Sequence, residues 1–418
     1  MPFSTLARSA PPPRWWTQAW ALVLAGGLVM GLALGVRHVQ GLFLLPVTLE
    51  RGWSRESFAF ALALQNLVWG LAQPLAGMAA DRWGARPVVG TGLALYALGL
   101  LGMSQAGSPL AFVIAGGVCI GIALSGTTFG VVYAALGRLV APERRGWALG
   151  LAGAVGGLGQ FLLVPTTQTL IGHWGWVAAL GTLALVIALA LPLAVPLNDR
   201  AATTARGASA AQPPQALRAA VQEAFAQRGF WLLNLGFLAC GFQLAFVASH
   251  LPAWLLDQGW RAADGMAALA LIALANVGGT YACGLLGARY AKKKLLAGVY
   301  LARSAAMALF VLLPLSTASL YLFALAMGAL WLGTVPLTSG ILAQVFGVRY
   351  LATLFGFVFF GHQLGSFLGV WLGGVVFEAT GSYGPVWAGA IALGLLAAAL
   401  HWPIDERPLP RLRREALA

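Results

Sequence analysis

The 418 residues are 60% hydrophobic and only 9% Asp, Glu, Lys or Arg, against the roughly 25% charged residues of an ordinary soluble domain. So few charges cannot solvate the two or three soluble domains that such a length normally forms, and a mean hydropathy of +0.82 with 54 glycines points to helices packed in lipid. A soluble enzyme, a disordered chain and a nucleic-acid binder are excluded, because most of the cations behind the net charge of +13 stand in short loops between apolar runs.

Apolar segments read along the chain at 18–48, 56–79, 87–106, 109–137, 147–171, 174–197, 229–256, 263–287, 294–314, 317–346, 350–377 and 384–403. Each has the roughly 20 residues that a helix needs to cross about 30 Å of hydrocarbon, and none alternates as a barrel strand would. Pro11, Pro12 and Pro13 precede the first segment without a cleavable signal pattern, so that segment is expected to be a retained span. Cys119, Cys240 and Cys283 are dispersed in apolar runs, and neither a disulfide framework nor a metal site is expected.

With both termini in the cytoplasm, 20 of the 25 Lys and Arg residues fall inside. Arg51, Arg55 and Arg261 fall outside, and Arg37 and Arg303 lie within spans. That distribution obeys the positive-inside rule and predicts a multi-pass protein of the inner (plasma) membrane with cytoplasmic termini. The polar stretch at about 198–228, with Pro213-Pro214, reads as a cytoplasmic linker carrying one amphipathic helix near Leu217–Phe225. The expected organisation is an N-terminal six-helix unit at 1–198, a linker at 199–228, and a C-terminal six-helix unit with its tail at 229–418.

The two units carry one pattern. Leu45-Pro46, Gly52-Trp53 and Gly77 recur as Leu251-Pro252, Gly259-Trp260 and Gly284, and Gly150 and Gly159 recur as Gly356 and Gly365, at an offset of 206–207 residues. Such a duplication predicts two pseudo-symmetric bundles with a substrate site between them near the bilayer midplane.

At Gly77-Met-Ala-Ala-Asp81-Arg82-Trp-Gly84-Ala-Arg86, directly after the second span, the sequence resembles the signature loop of the major facilitator superfamily. The resemblance covers nearly the whole chain and implies an all-α integral membrane fold of twelve helices in two six-helix bundles. It implies a gate in which Gly77 permits close helix approach, Asp81 caps a neighbouring helix, and Arg82 and Arg86 pair with carboxylates when the cytoplasmic side is shut. In the second copy Ala288 replaces the acid and Ala291 the glycine, so that half of the gate is expected to be weaker. Phe43-Leu-Leu-Pro46, the Glu50–Arg55 loop and Gln65-Asn66 resemble the bacterial monocarboxylate-transporter-like branch, related to oxalate/formate exchangers. Members carry small organic anions, often with a proton, and use a basic residue on span 1, where this chain has Arg37 and His38. The Arg and Asp common on span 8 are replaced by Thr280 and Asn276, and a span-11 Lys of the exchangers by His362.

Charge in lipid costs several kcal/mol, so each ionisable residue there needs a reason. Arg37, Arg303, His38, His250 and His362 lie in spans, whereas Asp81 and Glu378 sit at helix ends. Cations without an internal acid point to a negatively charged substrate, which a guanidinium can hold with two parallel hydrogen bonds. Arg37 is the first candidate, and its counterpart in the second half is Gln243. Arg303 is the second, although the resemblance places its helix at the periphery as a structural support. His38 and His362 are the candidates for proton coupling. Gln65, Asn66 and Tyr133, with Trp69, Gln73, Thr127, Thr128, Gln160, Trp331 and Thr334, supply a mildly polar cavity wall or helix contacts. His250 reads as a rim or structural residue.

No nucleotide-binding, metal or nucleophile motif occurs, so neither a cofactor nor an enzymatic activity is expected. The reading is a secondary transporter of a small organic anion, with H+ as the expected co-substrate and no obligate protein partner. The alternatives are an efflux pump for amphipathic compounds, or a receptor or sensor that binds without translocating.

Overall fold

The computed structural model describes residues 18–53, 55–200 and 215–412, which are helical nearly throughout and contain no strand. Pro11–Pro13, most of the linker, and several of the counted arginines (8, 14, 206, 413 and 414) lie outside the described residues, as do the side chains of Leu45, Arg55 and Glu378.

Twelve long helices follow the predicted segments: α1 Ala19–Val39, α2 Arg55–Trp83, α3 Ala85–Ser104, α4 Pro109–Leu139, α5 and α6 within Arg145–Leu189, α7 Arg228–Asp257, α8 Ala262–Arg289, α9 Lys292–Leu312, α10 Thr317–Phe346, α11 Leu351–Thr380 and α12 Gly384–His401. Gly175, at φ +77°, divides α5 (145–174) from α6 (176–189). Among the described residues, ten helical stretches are long and apolar enough to cross a membrane, and one of them holds both α5 and α6. The remaining helix, α2, is 29 residues long but diluted by Gln65, Asn66 and Gln73. A shorter helix, Leu217–Ala226, occupies the predicted amphipathic part of the linker.

The duplication is visible in the backbone. Gly52 (φ +66°) ends the short helix Leu44–Arg51 that follows α1, Gly259 (φ +80°) follows α7, and Gly175 and Gly381 (φ +66°) join the last two helices of each half, conformations that only glycine adopts without strain. Gly77 lies on the backbone of Ala352, and its repeat mate Gly284 lies on Gly146, which is itself the mate of Ala352. Within the halves, Gly159 of α5 touches Gly31 of α1 as Gly365 of α11 touches Leu238 of α7. In lipid, where no hydrophobic effect drives helices together, this backbone-to-backbone approach supplies the packing energy.

The fourth helix of each half is broken at the same register. α4 departs from helical geometry at Thr128 (φ −118°, ψ −161°), and α10 loses its helix between Ala329 and Thr334. α4 also contains a π-helical turn at Ile114–Cys119.

The halves meet through α2 against α11 and α5 against α8. At the arginine-rich end Asp81 reaches the start of α11, and the contacts continue through Pro74 on Gly356 and Gly150 on Gly284. Near mid-helix, Gln363 donates to the Asn66 carbonyl, and Gly157 lies against Asn276. Beyond those levels no hydrogen bond joins the halves among the described residues. The assembly is therefore closed at its arginine-rich end.

Candidate functional site

Arg37 stands two residues before the end of α1, where the chain tightens into the 3₁₀ turn Gln40–Phe43. Its Nη2 donates to Oδ1 of Asn66 on α2, and its guanidinium lies 5.2 Å from the Trp69 ring. Both partners are uncharged. Its buried Nε has no hydrogen-bond partner, and no carboxylate pairs with the guanidinium among the described residues.

From Trp69 an aromatic series crosses to the other half. Phe359 of α11 is 4.9 Å from Trp69, the His362 ring stacks on Phe359 at 5.3 Å with 9° between planes, and Phe237 of α7 follows at 4.8 Å. His362 is half-buried, its Nδ1 is 3.2 Å from Oε1 of Gln363, and it borders the sulfur of Cys240. Arg37, Asn66, Trp69, Phe359 and His362 thus form one group at mid-depth, where the contacts between halves end. A cation, an amide, an imidazole and aromatic faces can together hold a small carboxylate with an apolar tail.

A second polar group lies on the α5–α8 side. Tyr133 is fully buried, and its hydroxyl, without a hydrogen-bond partner among the described residues, lies against Gly153, which Thr280 also approaches. Asn276 accepts from Thr280 Oγ1 at 2.8 Å and from the Leu332 amide at 3.0 Å. The residues that replace a charged pair here hold the broken segment of α10.

Several expected wall residues serve as helix contacts. Gln65 is buried and donates to the Gly116 carbonyl at 2.7 Å, inside the π turn where the normal ladder is disturbed. Gln73 donates to the Ser125 carbonyl at 2.9 Å and accepts from Trp69 Nε1 at 3.0 Å. Gln243 is turned away from the Arg37 group, and its amide donates to the Ala390 carbonyl of α12 at 2.9 Å. His38 has an exposed side chain with no hydrogen bond among the described residues. His250 bonds the Val370 carbonyl at 2.9 Å, within the outer part of the second half.

Arg303 is fully buried and donates to the carbonyls of Leu330 (2.5 Å) and Trp331 (2.6 Å), with Nη1 3.2 Å from Cys240 Sγ. The break in α10 exposes those carbonyls, and the guanidinium satisfies them. Four contacts of the guanidinium thus go to the fold, two carbonyls and a thiol sulfur.

At the arginine-rich end Asp81 accepts from the Thr353 amide (2.8 Å), Thr353 Oγ1 (2.7 Å) and Arg138 Nη1 (2.7 Å), so it caps α11. The ion-pair expectation is corrected. Arg82 and Arg86 are exposed, and neither reaches a carboxylate among the described residues. The buried cation is Arg138, at the end of α4, which also pairs with Asp199 at 2.6 Å. Arg82 and Arg86 follow the turn away from the interface, whereas Arg138 points into it. Asp199 also caps α3 through the Ala85 amide at 2.8 Å. Counting charges in loops treats Arg138 and Asp199 alike with their neighbours. Only their places at the end of α4 and just after α6 hint that they meet.

Compared with known proteins, the sequence matches the Major Facilitator Superfamily over residues 23–337. It is 25% identical to an uncharacterised MFS-type transporter, YcxA, of Bacillus subtilis, over 90% of this chain and 91% of the relative. It is 28% identical to human monocarboxylate transporter 11, over 90% of this chain and 80% of the relative. The fold superposes on FucP, a major facilitator transporter crystallised in the outward conformation. The TM-score is 0.72, with 16% identity over 93% of this chain and 99% of that one.

Proposed function

The chain belongs to the major facilitator superfamily, and from that premise we propose that it is a secondary active transporter of a small organic anion of the monocarboxylate type, coupled to H+ and working by alternating access. The observation that carries the reading is Arg37. Its charge sits at mid-depth between the halves with an amide and an indole as neighbours, and no protein acid pairs with it among the described residues. A substrate carboxylate supplies the missing charge, and two parallel hydrogen bonds from the guanidinium orient it. Trp69 and Phe359 enclose the apolar part. His362, stacked at the far end of the group, carries the proton, since an imidazole nitrogen can accept and return one. His38, beside Arg37 but outside the group, is the second candidate for that role.

The moving bodies are the units 1–198 and 229–418, joined by the linker 199–228. Asp199, bound to Arg138 and Ala85, moves with the first unit in this reading. The arginine-rich end faces the cytoplasm by the positive-inside rule, in the inner membrane, so the closed end described above is the cytoplasmic gate. The likeness to monocarboxylate transporters and the absence of any nucleotide-binding motif support this reading.

Counterflow of a panel of small radiolabelled monocarboxylates into proteoliposomes tests it. Arg37→Gln is expected to lose at least tenfold in uptake, on the scale of one charge-assisted bidentate contact, and Arg37→Lys to retain part of it. Full uptake by Arg37→Gln removes the central residue from the mechanism.

A further inference from the structure

We propose that the outer face of the first half holds one anionic phospholipid of the leaflet on the arginine-rich side, its acyl chain in a groove between α2, α3 and α4 and its phosphate on Arg82 and Arg86. The groove has a volume of about 660 Å³, within the range of sites that enclose organic ligands. Its floor is cut by small residues, Ala72, Ala76, Ala79, Gly92 and Gly126. Its rim carries large ones, Leu71 and Leu75 of α2 and Ile122 of α4. Leu71 and Leu75 are more than half exposed and lie away from Gly70, Pro74 and Gly77, the face of α2 that meets α11. The groove therefore opens to lipid and not to the passage between the halves.

Length and charge define the occupant. From Val68 to Trp83 the groove follows fifteen helical steps, roughly 22 Å, which exceeds the roughly 15 Å of hydrocarbon in one leaflet. Its polar groups ask for nothing from a ligand: Thr91 Oγ1 bonds the Pro87 carbonyl, and the Ser125 carbonyl accepts from Gln73. An apolar chain fits such a wall, and a polar solute does not. At its mouth stand Trp83 and Pro87, flanked in sequence by Arg82 and Arg86. The Arg82 guanidinium lies 5.6 Å from the Trp83 ring, an arrangement that holds it at the level of a headgroup. Neither arginine has a carboxylate partner among the described residues, so the pair presents two cations to the membrane surface, where an anionic headgroup is the complementary charge.

The experiment uses the full chain, purified and exchanged into equal mixtures of phosphatidylglycerol and phosphatidylcholine, with bound lipid read by native mass spectrometry. The wild type is expected to retain one phosphatidylglycerol preferentially. Arg82→Gln/Arg86→Gln is expected to weaken that retention about thirtyfold, the scale of two basic contacts at a membrane surface. Arg82→Lys/Arg86→Lys should keep most of it, and Ala76→Phe, which fills the groove, should lose it with both arginines present. Thermal unfolding and elution profile establish that each variant is folded. Equal retention of the two lipids, or of phosphatidylglycerol by wild type and the Gln pair, overturns the proposal. Displacement by soluble glycerol phosphate also overturns it, because a headgroup alone would then suffice.

Discussion

Asp81 accepts two backbone amides, a hydroxyl and a guanidinium at one point between the halves. Asp81 and Arg138 are both buried: neutralising Asp81 leaves Arg138 paired with Asp199, whereas removing Arg138 takes the cation from Asp81, which typically costs about 3–5 kcal/mol. That pair lies within the first half and persists on opening, so only the bonds from Asp81 to the Ala352 and Thr353 groups of α11 fall on the closed state. Asp81→Asn is therefore expected to expose the gate, raising the reaction of a cysteine placed at Ala352 with a polar maleimide several-fold. Unchanged labelling would show that Asp81 does not hold the gate. Arg138→Gln, which leaves those bonds in place, should raise the labelling less, and Arg82→Gln should leave it near wild type. The signature loop made Asp81 legible, because acid, glycine and basic residues stand at fixed spacing. Its partner was not, because Arg138 lies 57 residues further on, and nothing local distinguishes it from Arg144 or Arg145.

At the scale of the element, the broken fourth helices are the clearest departure from the hydropathy pattern. An apolar run announces a span but not an interruption in it. The carbonyls freed by the break in α10 must find donors, since lipid offers none. Arg303 meets that need with three short bonds, and Asn276 fills the neighbouring amide. Depth alone marks Arg303 as a substrate contact, and only the position of the break reveals its occupation. Arg303→Met is expected to lower the Tm of the purified protein, by an amount on the scale of about 1–3 kcal/mol for each unsatisfied carbonyl. Added substrate should restore little of it. A Tm equal to wild type with lost transport would instead return Arg303 to the substrate site.

The whole molecule closes asymmetrically. At the α2–α11 junction an acid caps the opposing helix, whereas at the related α8–α5 junction Ala288 lies against Gly146 with no acid to offer the start of α5. Repulsion or attraction at a helix N-terminus is worth roughly 0.3–1 kcal/mol, enough to bias two states that differ by a few. Ala288→Asp should therefore favour the closed gate, raising Tm and slowing turnover while leaving substrate affinity in the outward-facing state unchanged. Faster turnover would mean that this junction does not restrain opening.

Twelve spans and the duplicated halves follow from apolar length and repeated glycines, because the bilayer penalises any unpaired backbone regardless of tertiary detail. Arg37 also stands out before any coordinates, as a charge with no nearby acid. What depended on the assembled fold was the identity of each polar contact. Gln65, Gln243 and Arg303 face helices whose distance in sequence hides them, and whether an amide lines a cavity or fills a broken ladder is set by packing between helices, not by the helix that carries it.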